Sequence, residues 1–241
     1  MGFPNRVTPK RSLGQNFLIN PGLIKKIITV VLNSDPKHIT EIGPGKGAFT
    51  EEFYATTIPM ILIEKDFNFT QILQDNYRGT QVHNIDFLDF ELNNFNTTYF
   101  GSLPFNKSKD IIYKIISSPT FNNPAFFIIQ KEVAEKYSSK NVNPLSLIRE
   151  IYSNFEILFD IKAGNFRPKP NVTTSLVKFT PHRKSWNVNV KDLELLIKKS
   201  FKYPRKTLKN NLKSYNLSKE IAGKRPAQLL LSNYVSILKN S

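Results

Sequence analysis

From residue 38 to about residue 154 the chain alternates strand-like and helix-like segments, and this alternation limits the fold more than any other feature. Short apolar runs fall near 38–42, 60–64, 80–84, 97–100 and 125–130, with helix-patterned stretches between them. Such an order implies a parallel sheet with helices on both faces, an α/β fold. Ahead of it, Asn20 and Pro21 form an N-cap and first-turn pair, and Leu23, Ile24, Ile27, Ile28 and Val31 fall on one helical face. Residues 155–161 and 174–180 read as two further strands joined by the proline-rich Phe166-Arg167-Pro168-Lys169-Pro170. With no helix between them they are expected to pair antiparallel at one edge of the sheet. Beyond Pro181 the pattern is helical only, at 190–201, 206–214 and 229–238. The expected organisation is an α/β domain over 1–181 and a small all-helical domain over 182–241.

Charge is distributed as unevenly as structure. The formal net charge is +15. Residues 181–241 hold 14 Lys and Arg against 3 Asp and Glu, the first twenty residues add +3, and 21–180 are nearly neutral. A basic end segment beside a neutral body points to a polyanion-binding appendage. There is no cysteine, which excludes disulfides, a thiol nucleophile and cysteine-bound zinc. His38, His83 and His182 have no metal-ligand spacing, so no metal is expected. No apolar run is long enough to span a membrane, and Arg6, Lys10 and Arg11 precede no signal-peptide core. A cytoplasmic protein without membrane association is therefore expected.

Chemistry concentrates at the ends of the expected strands. In Glu41-Ile42-Gly43-Pro44-Gly45-Lys46-Gly47 the glycines allow a tight turn and close approach to a ligand. The strand Met60-Ile61-Leu62-Ile63 ends in Glu64, where α/β nucleotide folds grip ribose hydroxyls. Ile85-Asp86-Phe87 and Gly101-Ser102-Leu103-Pro104-Phe105 follow two more strands. Together they imply a nucleoside cofactor laid across strand ends. The G-x-G-x-G spacing differs from the dinucleotide fingerprint, which disfavours an NAD-dependent oxidoreductase.

These stretches, in their order, resemble the ribosomal RNA adenine N6-dimethyltransferases, the group of the KsgA and Erm enzymes. Leu13-Gly14-Gln15-Asn16-Phe17-Leu18 is similar to the family's G-Q-N-F-L signature, and residues 41–47 to its E-I-G-P-G-x-G loop. Ile63-Glu64-Lys65-Asp66, Ile129-Gln130-Lys131-Glu132-Val133-Ala134 and Phe166-Arg167-Pro168-Lys169-Pro170-Asn171-Val172 resemble its I-E-x-D, Q-K-E-V-A and F-x-P-x-P-x-V segments. Arg205-Lys206-Thr207-Leu208-Lys209-Asn210-Asn211-Leu212 and Lys224-Arg225-Pro226-Ala227-Gln228-Leu229 resemble the KsgA-type, small-subunit branch. The length of 241 residues is nearer the Erm-type, large-subunit branch.

The resemblance implies a Rossmann-like class I methyltransferase using S-adenosylmethionine to dimethylate two adjacent adenosines in small-subunit rRNA, as a monomer on a maturing particle. It implies cofactor contacts from Gln15, Asn16, Leu18, Glu41, Gly43, Gly45, Gly47, Glu64, Lys65, Asp86, Phe87 and Ser102. Glu64 would accept from the ribose hydroxyls and Asp86 from the adenine amine. Ser102, Leu103, Pro104 and Phe105 would form the catalytic loop: Ser102 hydroxyl and Leu103 carbonyl holding the target amine, Pro104 fixing the loop and Phe105 stacking on the flipped-out base. Arg11, Lys107, Lys109, Arg205, Lys206 and Lys209 would contact RNA. The chain departs from its relatives at Ser102, where they carry Asn. An Erm-type enzyme, or a nucleic-acid-binding factor that has lost the chemistry, are the competing readings.

Overall fold

The computed structural model describes residues 16–93, 96–138, 140 and 142–240. Its contacts divide the chain into two units, Met1–Lys131 with Glu156–Thr180, and Glu132–Phe155 with Pro181–Ser241.

The first unit is built on a seven-stranded sheet. In chain order its strands are β2 (Ile39–Ile42), β3 (Met60–Glu64), β4 (Gln81–Asn84), β5 (Thr98–Ser102), β6 (Ala125–Gln130), β7 (Ser153–Ile161) and β9 (Thr174–Pro181). Their spatial order is β4-β3-β2-β5-β6-β9-β7. The first five are parallel, in registers such as Ile39 opposite Met60 and Thr98. The sheet also holds an antiparallel element: β9 runs against β6, with Ala125 opposite Phe179. The last strand thus lies inside the expected edge pair, between β6 and β7. A separate two-stranded ribbon joins β1 (Phe17–Leu18) to β8 (Phe166–Arg167), a feature too short to leave a sequence period.

All four residues of β2 are buried, as a central parallel strand covered on both faces requires. One face is closed by α1 (Pro21–Leu32), started by the Asn20 side chain accepting from the Leu23 N–H at 3.1 Å. The helix turns Ile24, Ile27, Ile28 and Val31 inward. From α2 (Thr50–Tyr54) and the residue before it, Phe53 and Phe49 meet Phe100 of β5 edge-on, with centroids 5.2 and 4.9 Å apart. The unit is completed by α3 (Phe67–Asn76) and α4 (Ser108–Ile116).

The second unit is helical. After α5 (Lys131–Tyr137) it comprises α6 (Pro144–Tyr152), α7 (Val190–Ser200), the single turns α8 (Leu208–Asn211) and α9 (Lys219–Ala222), and α10 (Leu231–Lys239). The expected boundary at 181 leaves α6 in the first domain; the contacts group it with the second. Leu147, Ile148 and Ile151 of α6 share one core with Leu193, Leu196 and Ile197 of α7 and Tyr234 of α10. Polar ties reinforce that core: Tyr152 donates to Glu194 at 2.6 Å, and the Trp186 indole to the Ile151 carbonyl at 3.1 Å. The helix expected over 206–214 is one turn long, because the Asn211 side chain takes up the Tyr203, Lys206 and Thr207 carbonyls.

Among the described residues no helix is long and apolar enough to cross a membrane.

Candidate functional site

Strand order reverses between β2 and β5: the chain passes from β2 through β3 to β4 on one side, and from β5 to β6 on the other. Loops leaving neighbouring strands diverge at such a point, opening a crevice at the carboxyl ends. A cavity of about 270 Å³ lies there, walled by Ile42 at the end of β2 and Gly43 after it, Glu64 and Lys65 at β3, Ile85 and Asp86 beyond β4, and Ser102 of β5.

Glu64 organises the glycine turn. The Gly45 N–H donates to its Oε2 at 2.9 Å and the Asp66 N–H to its Oε1 at 2.8 Å. The carboxylate has lone-pair capacity left for an incoming hydroxyl. Burial raises its pKa, opposed by these backbone donors. At Gly45 φ is +56°, and an added Cβ would lie 2.5 Å from the Phe17 ring, so only glycine lets β1 close over the turn.

Asp86 is held differently. Its Oδ2 accepts from Lys65 Nζ at 2.7 Å and its Oδ1 from the Leu88 N–H at 3.0 Å. Burial pushes its pKa up, but the Lys65 and Leu88 hydrogen bonds and the Lys65 and Lys107 charges outweigh it, leaving a carboxylate below its ordinary range. Glu41, only 1% exposed, accepts from Thr50 Oγ1 at 2.8 Å. Burial, opposed by that bond and reinforced by Glu64, pushes it up to about 8. The cavity therefore pairs an ionised acid with an acid that keeps its proton at neutral pH.

The loop after β5 closes the crevice. Gly101 permits it: a Cβ there would meet the Ile42 carbonyl oxygen at 2.7 Å. The Leu103 N–H donates to the Ile128 carbonyl at 3.0 Å, fixing the peptide between Ser102 and Leu103. Ser102, Pro104 and Phe105 are half-buried on the wall and Leu103 is buried.

Of the residues expected from sequence, Asn16, Leu18, Glu41, Gly43, Gly45, Glu64, Lys65, Asp86, Phe87, Ser102, Leu103, Pro104, Phe105 and Lys107 line this one cavity. Gly47 is not among the lining residues; a Cβ there would meet the Tyr77 oxygen at 2.8 Å, so the glycine makes room for a packed tyrosine. Lys109 is exposed on α4 away from the wall. Arg205, Lys206 and Lys209 are exposed on the helical unit. Arg11 and Gln15 lie outside the described residues. Sequence reasoning did not single out Phe17, which lines the wall, or Gly101; both sit inside stretches already quoted, beside the polar residues that drew attention.

The chain's likeness to known proteins agrees with this geometry. The sequence pattern of the ribosomal RNA adenine dimethylase family matches residues 6–232. Ribosomal RNA small subunit methyltransferase A of Malacoplasma penetrans is 34% identical over 219 residues, covering 88% of this chain and 80% of that one. The protein of the same name from Wigglesworthia glossinidia brevipalpis is 32% identical over 253 residues, covering 96% and 97%. Among solved structures, a dimethyladenosine transferase from Plasmodium falciparum superposes with a TM-score of 0.78 at 20% identity, over 92% of this chain and 96% of that one. The 23S rRNA methyltransferase ErmE gives 0.74 at 17%, over 93% and 98%. At those identities the two structures speak to the fold alone, a Rossmann-like α/β sheet. With its family pattern matched over nearly its whole length, the chain belongs to the ribosomal RNA adenine dimethylases.

Proposed function

We propose that this chain transfers methyl groups from S-adenosylmethionine to the N6 amines of two adjacent adenosines in a hairpin loop near the 3′ end of small-subunit rRNA. In this reading it acts as a cytoplasmic monomer on a maturing small-subunit particle. The observation that carries the proposal is the convergence of Glu64, Asp86 and the 101–105 loop, from three separate strand ends, on one cavity. The family and the small-subunit relatives support it. The Erm-type alternative rests on length, whereas relatives that are 34% and 32% identical are named for the small subunit.

The residues present fit the methyl donor. Its ribose offers two hydroxyls, and Glu64 is a carboxylate acceptor with lone-pair capacity left on the cavity wall. Its adenine offers an amine, for which Asp86 is a charged acceptor. When bound, S-adenosylmethionine supplies an electrophilic methyl on a sulfonium, so the protein need furnish no nucleophile.

What the chain does is hold and orient. The adenine amine is a weak nucleophile because its lone pair is conjugated with the ring. In the proposed arrangement the Ser102 hydroxyl and the Leu103 carbonyl accept its N–H groups and turn the lone pair toward the methyl. The bond from Leu103 to Ile128 and the fixed φ of Pro104 keep those acceptors aimed. Phe105 stacks on the extruded base. Methylation leaves the nitrogen a strongly acidic cation that passes its proton to solvent water, so Ser102 need only orient.

Labelled S-adenosylmethionine offered with unmethylated small- and large-subunit particles tests the reading. Dimethyladenosine in the small subunit alone is expected; label confined to the large subunit would overturn the assignment, and absence of label from both would overturn the activity.

A further inference from the structure

Between α7 and α8 the chain presents a loop that no part of the proposed chemistry uses. Residues 195–219 carry eight Lys and Arg and no Asp or Glu, and the segment from Lys202 to Lys206 is exposed throughout. In its centre Tyr203 is 48% exposed. The ammonium groups of Lys202 and Lys206 lie 5.5 and 4.7 Å from its ring centroid.

This loop is rigidly built. Asn211 Oδ1 accepts from the Tyr203 N–H at 3.1 Å, and Nδ2 donates to the Tyr203 carbonyl at 3.0 Å and to those of Lys206 and Thr207 at 3.3 Å. The Lys206 N–H closes a turn on the Tyr203 carbonyl at 2.9 Å, and fully buried Leu208 anchors its end. One asparagine thus fixes the backbone on either side of an outward-facing aromatic ring. A lysine over an exposed ring is a weak contact that a stacking base displaces, freeing the ammonium for a phosphate.

We propose that residues 202–206 form a stacking platform for one unpaired nucleotide of the RNA substrate, with Tyr203 beneath the base and Lys202 and Lys206 on the flanking phosphates. The proposal rests on the rRNA reading and adds a single-strand contact on the helical unit. Charge alone would suit a duplex as well; the ring held at the centre of the charge favours an unstacked base.

The test is fluorescence anisotropy of the full-length protein against a labelled single-stranded RNA oligonucleotide and the corresponding duplex, over a range of salt. Tyr203→Ala should weaken single-strand binding by about 5- to 100-fold without changing the salt slope, and leave duplex binding unchanged. Tyr203→Phe should bind as the wild type. The double variant Lys202→Gln with Lys206→Gln should lower the slope by about 1.4, the release of two phosphates. Unchanged single-strand affinity in Tyr203→Ala, or equal losses on both RNAs, overturns the platform. If that variant also methylates small-subunit particles with unaltered KM, the enzymatic reading stands without it; a wild-type protein that binds neither RNA removes both.

Discussion

Glu41 makes a quantitative demand on the protein. Its carboxyl is almost completely buried, with one hydrogen bond from Thr50 and with Glu64 nearby. In the folded chain it holds its proton to about pH 8, against 4.5 when free. A carboxyl raised in this way contributes its stability in full below the unfolded value and loses it as pH climbs through the folded one. The loss at Glu41 is about 1 kcal/mol at pH 5, about 3 at pH 7 and about 5 at pH 9, where it levels off. Glu41→Gln keeps the shape and an acceptor for Thr50 but cannot ionise. Urea unfolding of both proteins at the three pH values reads the effect directly. The variant should gain on the wild type by about 4 kcal/mol between pH 5 and pH 9. A difference that stays constant across that range would mean that Glu41 is ionised and solvated, and the account of the cavity's inner wall would be wrong.

Three further outcomes follow from the geometry. Ser102→Ala should lower methyl transfer by about two orders of magnitude while leaving S-adenosylmethionine affinity within about twofold; unchanged turnover would remove the hydroxyl from the mechanism. Gly45→Ala forces a Cβ into the Phe17 ring at a left-handed φ. It should cost about 1–3 kcal/mol and weaken cofactor binding, and a thermal midpoint equal to wild type would refute the steric argument. Leu147→Ala, near the middle of the chain, should cost about 2–5 kcal/mol and expose amides of α7 and α10 to hydrogen exchange while those of β2 and β3 stay protected. Loss of protection in β2 and β3 instead would place α6 in the other unit.

Much of the α/β unit was legible because its signals are local. Strand ends bearing Gly43, Glu64, Asp86 and Ser102 follow apolar runs whose length and order already imply a parallel sheet, and such a sheet gathers those ends on one side. What could not be read depends on partners distant in sequence. The ribbon of Phe17–Leu18 with Phe166–Arg167 has only two residues per strand, so neither shows a period. Insertion of β9 between β6 and β7 is a choice of neighbour, and the apolar pattern of 174–180 is the same in either position. The inner face of α6 likewise looks alike whether the sheet or the helical unit covers it; only the presence of Leu193, Leu196 and Tyr234 decides. Asn211 reads as one more polar residue in a basic helix until its side chain is seen closing four backbone bonds.

Every role proposed for the site depends on the crevice between β2 and β5 holding the methyl donor through Glu64. Calorimetric titration of wild type and Glu64→Gln with S-adenosylmethionine addresses it, with thermal unfolding of both proteins as a check that the Gly45 turn survives. One site per chain is expected, weakened by about 10- to 100-fold in the variant, as loss of charged hydrogen bonds to the ribose requires. Equal affinity in the two proteins, or a wild-type chain that takes up no S-adenosylmethionine, would contradict the account.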